Sequence, residues 1–440
     1  MSAPVRESWG RYPRAAHLGV LAPRFVDEVV IPPRGAHGSL PYGRGRSYGD
    51  CCLNDGGTLI DLARLDRLIE FDAVRGVVRC EAGVTFRALL EVIVPRGWFV
   101  PVTPGTRELT VGGAIANDVH GKNHHREGTF GRHVVELELL RSDRGRVVCG
   151  PQREPELFAA TVGGIGLTGV ILSAVIRLRK IASPMIAVEE QPIAGFDEFL
   201  ERSADADRRF EHTVAWIDLL APASAIGRGV LIAGEHAGAA VPQRPPPRGS
   251  LAVPVDAPGW LISPATVRSF NALYRTLRGR KRTVAVRYEP FFYPLDAARG
   301  WNRLYGTRGF VQFQCVVAND TAMRTILTRL AASGLAASLG VLKRFGELRS
   351  PGILSFPRPG LTLAADLPFD GRPTLDLLAG LHAVVREHGG ALYCAKDAAM
   401  TREDFRASYP RWRELARLKD PALSSSLWRR VGGDAPWHES

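Results

Sequence analysis

The sequence predicts an α+β protein of two domains, and three observations carry that prediction. Glycine-rich turns at 43–49, 105–113 and 163–169 each lie beside strand-forming sequence. The glycine clusters stop near Lys180, where the texture of the chain changes. Beyond that point an alternating segment GFVQFQCVVA (309–318), a helical TAMRTILTRLAASG (321–334) and strand-like runs at 337–343 and 361–369 describe an antiparallel sheet covered by helices. The first domain is expected to comprise residues 1–183 together with 390–440, and the second residues 184–389. At 440 residues and 45% hydrophobic content the chain can bury two such cores.

In chain order, GTLIDLARL (57–65) reads as a strand, and GVVRCEAGVTFRALLEVIV (76–94) as a strand that turns at Gly83 into a helix. VVELELLRSDRGRVVCG (134–150) reads as a hairpin with its turn at Asp143–Gly145, and a helix begins near Glu154. The third glycine cluster runs into the apolar strand of GVILSAVIRLRK. Residues 241–258 are proline-rich and read as a mobile loop or linker. The alternation of 309–318 puts Gln312 and Gln314 on one face. A final segment, GGALYCAKDAAM (389–400), precedes a helix near Arg402.

Lys+Arg 57 against Asp+Glu 45 gives a net charge of 57 − 45 = +12, which suits phosphorylated substrates, anionic lipid or nucleic acid. The chain contains no nucleic-acid module, so that partner class is not expected. No apolar run reaches 18 residues, and the N-terminal apolar stretch is too short for a signal-peptide core. A cytoplasmic protein, or one peripheral at the cell membrane, is expected. The six cysteines show no CxxC spacing and read as reduced thiols.

The chemistry concentrates in PGTRELTVGGAIANDVHGKNHHREGTFG (104–131). Glycines allow close backbone approach to a ligand, and free amides in such turns form anion cradles. A cradle followed by His120, Lys122, Asn123, His124 and His125 reads as a cofactor pyrophosphate site leading into a reaction centre. The three glycine turns then suit one extended cofactor. GRGRSYG lacks the strand–GxGxxG–helix context of a dinucleotide fold. His120 and His124 have the i, i+4 spacing of metal ligands, but Gly121 and the absent carboxylate argue against zinc, and no metal is expected. Histidine beside a redox cofactor can instead stabilise charge or carry a proton. Lys122 and Lys396 are either solvated surface lysines or pocket cations; Lys396, in LYCAKDAA, has the more apolar setting. The basic run Arg275–Arg287 reads as a solvated loop or as a contact for acidic headgroups.

GRGRSYGD, PGTRELTVGGAIANDVHGKNHH and ELFAATVGGIGLTGVI resemble the FAD-binding, PCMH-type domain of the vanillyl-alcohol-oxidase superfamily of flavoproteins. Within it the chain is most similar to the decaprenylphosphoryl-β-D-ribose 2′-oxidase family, through HGKNHH, LYCAKD, LKRFG and LSFPRPG. The resemblance implies FAD against Gly43, Arg44, Gly45, Arg46, Ser47, Tyr48, Gly49, Gly105, Thr110, Val111, Gly112, Gly113, Asn117, Asp118, Val119, His120, Ile171 and Tyr393. It implies Lys396, His120 and Tyr48 at the reacting centre, with Lys122, Tyr293, Gln312, Gln314 and Lys343 around the sugar. Relatives that bind FAD covalently use a histidine in the first glycine loop; this chain has Tyr48 there, so non-covalent FAD is expected. The implied reaction oxidises the 2′-hydroxyl of a polyprenylphosphoryl ribose, with an NADH-dependent reductase completing an epimerisation for cell-wall arabinan. An aldonolactone- or alditol-type oxidase of a soluble sugar and a non-catalytic polyprenyl-phosphate scaffold are the alternatives. The family segment GWNICVDFP appears here as GLTLAADLP (360–368), so Thr362 replaces an asparagine and Ala364 the cysteine that covalent inhibitors attack.

Overall fold

The computed structural model describes residues 6–433 apart from 246–248 and 250. Its N-terminal half contains three sheets, the smallest a two-stranded pair of Trp98–Phe99 with Arg179–Lys180. Thr58–Asp61 lies between Gly19–Leu21 and Ser39–Tyr42 in a small parallel sheet. A five-stranded antiparallel sheet runs in the order Leu68–Asp72, Val77–Glu81, Val170–Arg177, Val134–Arg141, Gly145–Cys149. The predicted hairpin is its last pair, and the predicted helix at Glu154 begins at Pro155. Between strand and glycine turn stands the Phe86–Ile93 helix. Thr85 caps it by accepting the Ala88 amide at 3.2 Å, and Phe86, Leu89, Leu90 and Ile93 recur at helical spacing to face the core.

The second half is built on one eight-stranded antiparallel sheet. Its strands run Arg282–Arg287, Met185–Ile193, Gly229–His236, His212–Ile217, Leu339–Phe345, Gly360–Pro368, Phe310–Val317, Ala391–Leu392. Side chains alternate across a strand, so the register sorts this sheet into two chemically different faces. On one, Phe313, Cys315, Leu363, Ala365 and Leu342 join the core formed with the helices Phe196–Arg209, Asp320–Ala332 and Arg372–Glu387. On the other, Gln312 opposes Asp366, Gln314 opposes Ala364, Lys343 opposes Thr362, and Trp216 opposes Val341. The polar face is turned towards His120 of the N-terminal half.

Two segments depart from their sequence reading. The basic run is not a solvated loop: it spans the end of the Pro264–Arg278 helix and the Arg282–Arg287 edge strand, where Arg278 and Arg282 both pair with buried Glu190. Within the proline-rich stretch, Leu251–Ala252 pairs in parallel with Ala298–Arg299, while 246–248 and 250 lie outside the described residues.

After Ala391–Leu392 the chain crosses to the first glycine loop. The Tyr48 amide donates to the Ala395 carbonyl at 2.9 Å, and Arg430 bridges Asp50 and Asp397 at 2.8 Å each. Gly49 lies so close that a Cβ there would stand 1.5 Å from the Asp397 carbonyl oxygen. Gly49→Ala is therefore expected to cost about 1–3 kcal/mol or more by overpacking. A urea titration should show the midpoint falling with an unchanged m-value.

Candidate flavin and substrate site

The site forms where the 104–131 stretch, the first glycine loop, the polar sheet face and the 393–398 turn meet. Thr110 caps the short Val111–Ala116 helix by accepting the Gly113 amide at 3.2 Å. The Val111 amide donates to Val84 and the Gly112 amide to Ala82. All three amides of this turn are thus used within the protein, and the predicted anion cradle is not there. Gly112 is required by packing instead, since a Cβ would sit 2.9 Å from that of Ala82. The cradle lies in the first loop. The amides of Gly43, Arg44, Gly45, Arg46 and Ser47 donate to no acceptor among the described residues, and Gly45 takes a positive φ of 59°. Arg46 stacks on Trp9 at 4.1 Å, with its Nε buried and unbonded, while the Arg44 side chain is exposed. Gly105 faces open space. A run of free amides beside a desolvated guanidinium fits the pyrophosphate of FAD.

Other predicted cofactor residues have structural duties. Asp118 is fully buried with a positive φ of 40°, and its carboxylate accepts from Ser350, Ser355 and the Gly131 amide. Its carboxylate is thus committed to the protein's own donors, and any contact with a cofactor would fall to its backbone. Val119 pairs through its backbone with Ala114 and Phe130, and Ile171 packs in the N-terminal core. Asn117 holds Tyr393, whose hydroxyl donates to the Asn117 carbonyl at 2.7 Å.

His120 is the junction. Its Nδ1 is 3.0 Å from Lys343 Nζ, and its Nε2 is 3.0 Å from the Gln314 amide. Burial first, and Lys343 second, hold its pKa well below the ordinary histidine value, so the ring is neutral. The Gln314 atom in this contact is the amide nitrogen Nε2, which donates to the ring's Nε2, so the one N–H of the neutral ring lies on Nδ1 facing Lys343 Nζ. His124 turns to the Gly346 amide at 3.2 Å, so the two histidines do not converge as metal ligands.

Three lysines point into this region, each half-buried, with its ammonium in a crowded setting. Lys122 Nζ donates to the Phe291 carbonyl and lies 4.3 Å from the Phe291 ring; burial lowers its pKa to about 7. Lys343 also donates to the Gly121 carbonyl at 3.0 Å, and burial, with Lys122 and Lys396 adding, lowers it to about 7. Lys396 sits 3.6 Å from the Tyr48 ring centroid. Burial brings it to about 8, against the opposing pull of Asp366. None of the three forms an ion pair with a carboxylate among the described residues. Tyr48 is held neutral, its pKa pushed well above the ordinary value by burial. Tyr293 is tied to Thr103 through its hydroxyl at 2.7 Å, which fixes it against the 103–107 turn.

Sequence reasoning missed Asp366 and Trp216. Asp366 is fully buried, holds Gln312 through one carboxylate oxygen and leaves the other unbonded; burial raises its pKa to about 7. The alternation of 361–369 contained the signal, because it puts Asp366 on the same face as Thr362 and Ala364.

Residues 35–149 match the FAD binding domain family. The chain is 35% identical over 455 aligned residues to the decaprenylphosphoryl-beta-D-ribose oxidase of Mycolicibacterium smegmatis, covering 96% of each protein. The chain belongs to the decaprenylphosphoryl-β-D-ribose oxidase family. An uncharacterized protein of Streptomyces coelicolor is 36% identical over 79% of this chain and 100% of its own length. A rat delta(24)-sterol reductase is 28% identical over 33% of this chain and 28% of its own, a likeness confined to part of the protein. Family membership agrees with the α+β architecture.

The lysines make a prediction about stability. Folded pKa values near 7 to 8 lie below the unfolded value of about 10.4, so the unfolded chain binds more protons across that window. Folding stability without anionic ligand should therefore rise with pH between about 7 and 10. Each lysine contributes at most about 1.4 kcal/mol per pH unit. Thermal melts across this range should show the slope, and Lys343→Met should flatten it.

Proposed function

We propose that the protein oxidises the 2′-hydroxyl of a polyprenylphosphoryl-β-D-ribose to the 2′-keto sugar, using non-covalently held FAD. The observation that carries this reading is the uncompensated charge of Lys122 and Lys343. A largely desolvated ammonium without a counter-ion is costly, so a site with two of them side by side suits an anion. A sugar phosphodiester supplies that charge next to the hydroxyls to be oxidised. Family membership supports the same substrate.

In this reading the amides of 43–47 and Arg46 hold the FAD pyrophosphate, with Gly105, Asn117 and Tyr393 shaping the rest of the cofactor seat. When bound, the flavin supplies the hydride acceptor. Lys122 and Lys343 bind the phosphodiester. The neutral His120 ring fixes the Lys343 side chain and the Gln314 amide at one height above the sheet, and Gln312 and Gln314 orient the ribose. Tyr293, fixed by Thr103, closes the wall beside the 103–107 turn. Lys396, poised near pH 8, accepts the 2′-hydroxyl proton when neutral, with Tyr48 holding its ammonium against the ring face. The two-part division, 1–183 with 390–440 and 184–389, puts the reaction between the cofactor half and the polar sheet face.

The product keto sugar needs a hydride returned to its other face, a step suited to a separate NADH-dependent reductase. No helix is long and apolar enough to cross a membrane among the described residues. A lipid-borne substrate then calls for contact with a membrane surface.

Acid precipitation of purified protein should release the flavin to the supernatant; colour kept in the pellet would contradict non-covalent binding. Polyprenylphosphoryl ribose should bleach the flavin anaerobically. Lys396→Met should slow that bleaching at least about 100-fold, within the range of general-base effects, while FAD stays bound. Covalent inhibitors that attack the family cysteine should not label the protein, since Ala364 offers no thiol. Intact mass spectrometry should show labelling only after Ala364→Cys.

A further inference from the structure

The Pro264–Arg278 helix is amphipathic in an unusual sense, because both its buried and its exposed sides are apolar in part. Ser263 caps it, accepting from the Thr266 amide. Its buried side carries Val267, Asn271 and Tyr274. Asn271 donates to Asp218 at 2.7 Å, Tyr274 packs on Trp216 with ring centroids 4.6 Å apart, and Arg278 pairs with Glu190. Phe270, Leu273 and Leu277 follow at spacings of three and four, so they form one stripe, about 90° round the helix from the buried side. That stripe is open to solvent, Phe270 at 55%, Leu273 at 58% and Leu277 at 69% exposure. Trp260, on the turn leading into the helix, is equally open.

These side chains are not scattered. Of thirteen large exposed apolar residues among the described residues, six fall between 251 and 277. Cations lie just past the helix end. Arg280 is exposed and forms no ion pair among the described residues, and Lys281 is exposed beside Arg282 with Glu189 3.6 Å away, whereas Arg268 lies on the opposite flank of the helix from the stripe. Glu190 and Asp218 lie under the helix and are engaged by arginines, while Glu189, on the opposite face of the strand, pairs with Arg209 and Lys281. The stripe and the turn after the helix therefore present an apolar and positive surface.

Glu190, Trp216 and Lys343 share one side of the eight-stranded sheet. Glu190 opposes Ile232, which opposes Val214; Trp216 opposes Val341, and Lys343 lies two residues further along that strand. The helix therefore covers the outer continuation of the same face that carries the candidate substrate residues.

We infer that the Pro264–Arg278 helix is the element that docks the protein on an anionic lipid bilayer, inserting Phe270, Leu273 and Leu277 while Arg280 and Lys281, just past its end, meet the headgroups. Apolar helical stripes flanked by cations lie in the interface in this way, and each cation near such a surface adds attraction. The inference deepens the proposed function, because docking through this helix brings the substrate face to the surface from which a lipid-linked sugar would come.

The test uses FAD-loaded full-length protein and two vesicle preparations, phosphatidylcholine alone and phosphatidylcholine with phosphatidylglycerol. Cosedimentation should be strong with the anionic vesicles, weak with the neutral ones, and reduced by salt. F270S/L273S/L277S should lower the bound fraction at least tenfold with unchanged flavin content and melting temperature. R280Q/K281Q should lower it less and reduce the salt dependence. Wild-type protein that ignores both vesicles, or a triple variant that sediments like wild type, overturns the inference. So does light scattering that shows the stripe joining two copies of the chain. Flavin bleaching by detergent-solubilised polyprenylphosphoryl ribose separates the two readings: vesicle docking without bleaching would leave the docking helix standing and remove the proposed substrate.

Discussion

The contact on which this molecule depends is the one between its two chain ends. Gly49 has no side chain, and the Asp397 carbonyl takes the space one would need. Arg430 then joins Asp50 to Asp397, and the Tyr48 amide joins the Ala395 carbonyl. Residues almost 350 positions apart become neighbours, and the ring of Tyr48 meets the ammonium of Lys396. The hydrophobic core is shared as well, since Leu40, Leu59 and Leu167 pack in one cluster with Phe313 and Leu363, so loosening this seam would disturb the packing of both halves and move the first loop away from the lysine beside it.

A second constraint is electrostatic. Protein interiors tolerate charge when it is paired, yet Lys122, Lys343 and Lys396 are half-buried with carbonyls, an imidazole and aromatic rings as partners. Burial lowers all three into the range where protonation responds to a ligand. The fold accepts a cost in its own stability at neutral pH, which the anion of the proposed substrate would offset. Asp366 shows the complementary case: a carboxylate raised to about 7 by burial, acting on Lys396 across the site. Binding and stability are thus linked through the same few groups.

The strand alternation of 309–318 identified Gln312 and Gln314 as partners on one face because period 2 is a local property of the chain. The hairpin at 134–149 and the helix from Pro155 were legible for the same reason: their turns, caps and apolar spacing are short-range. The packing of Gly112 and the pairing of Asp118 were not legible for a reason that is equally physical. A glycine serving close packing on Ala82 looks the same in sequence as one serving a phosphate, and a carboxylate bonded to Ser350 and Ser355 is paired more than 200 residues away.

What the sequence determined by itself was the inventory: two halves of different texture, the glycine turns, the strand faces, and a set of lysines and histidines near small residues. Motif resemblance added the family and its flavin. Only the tertiary structure decided which amides remain free, that the lysines lose water without gaining carboxylates, and that the basic run is a helix end and an edge strand anchored to Glu190. Desolvation and pairing depend on what other parts of the chain bring to the same place, and no local pattern encodes that.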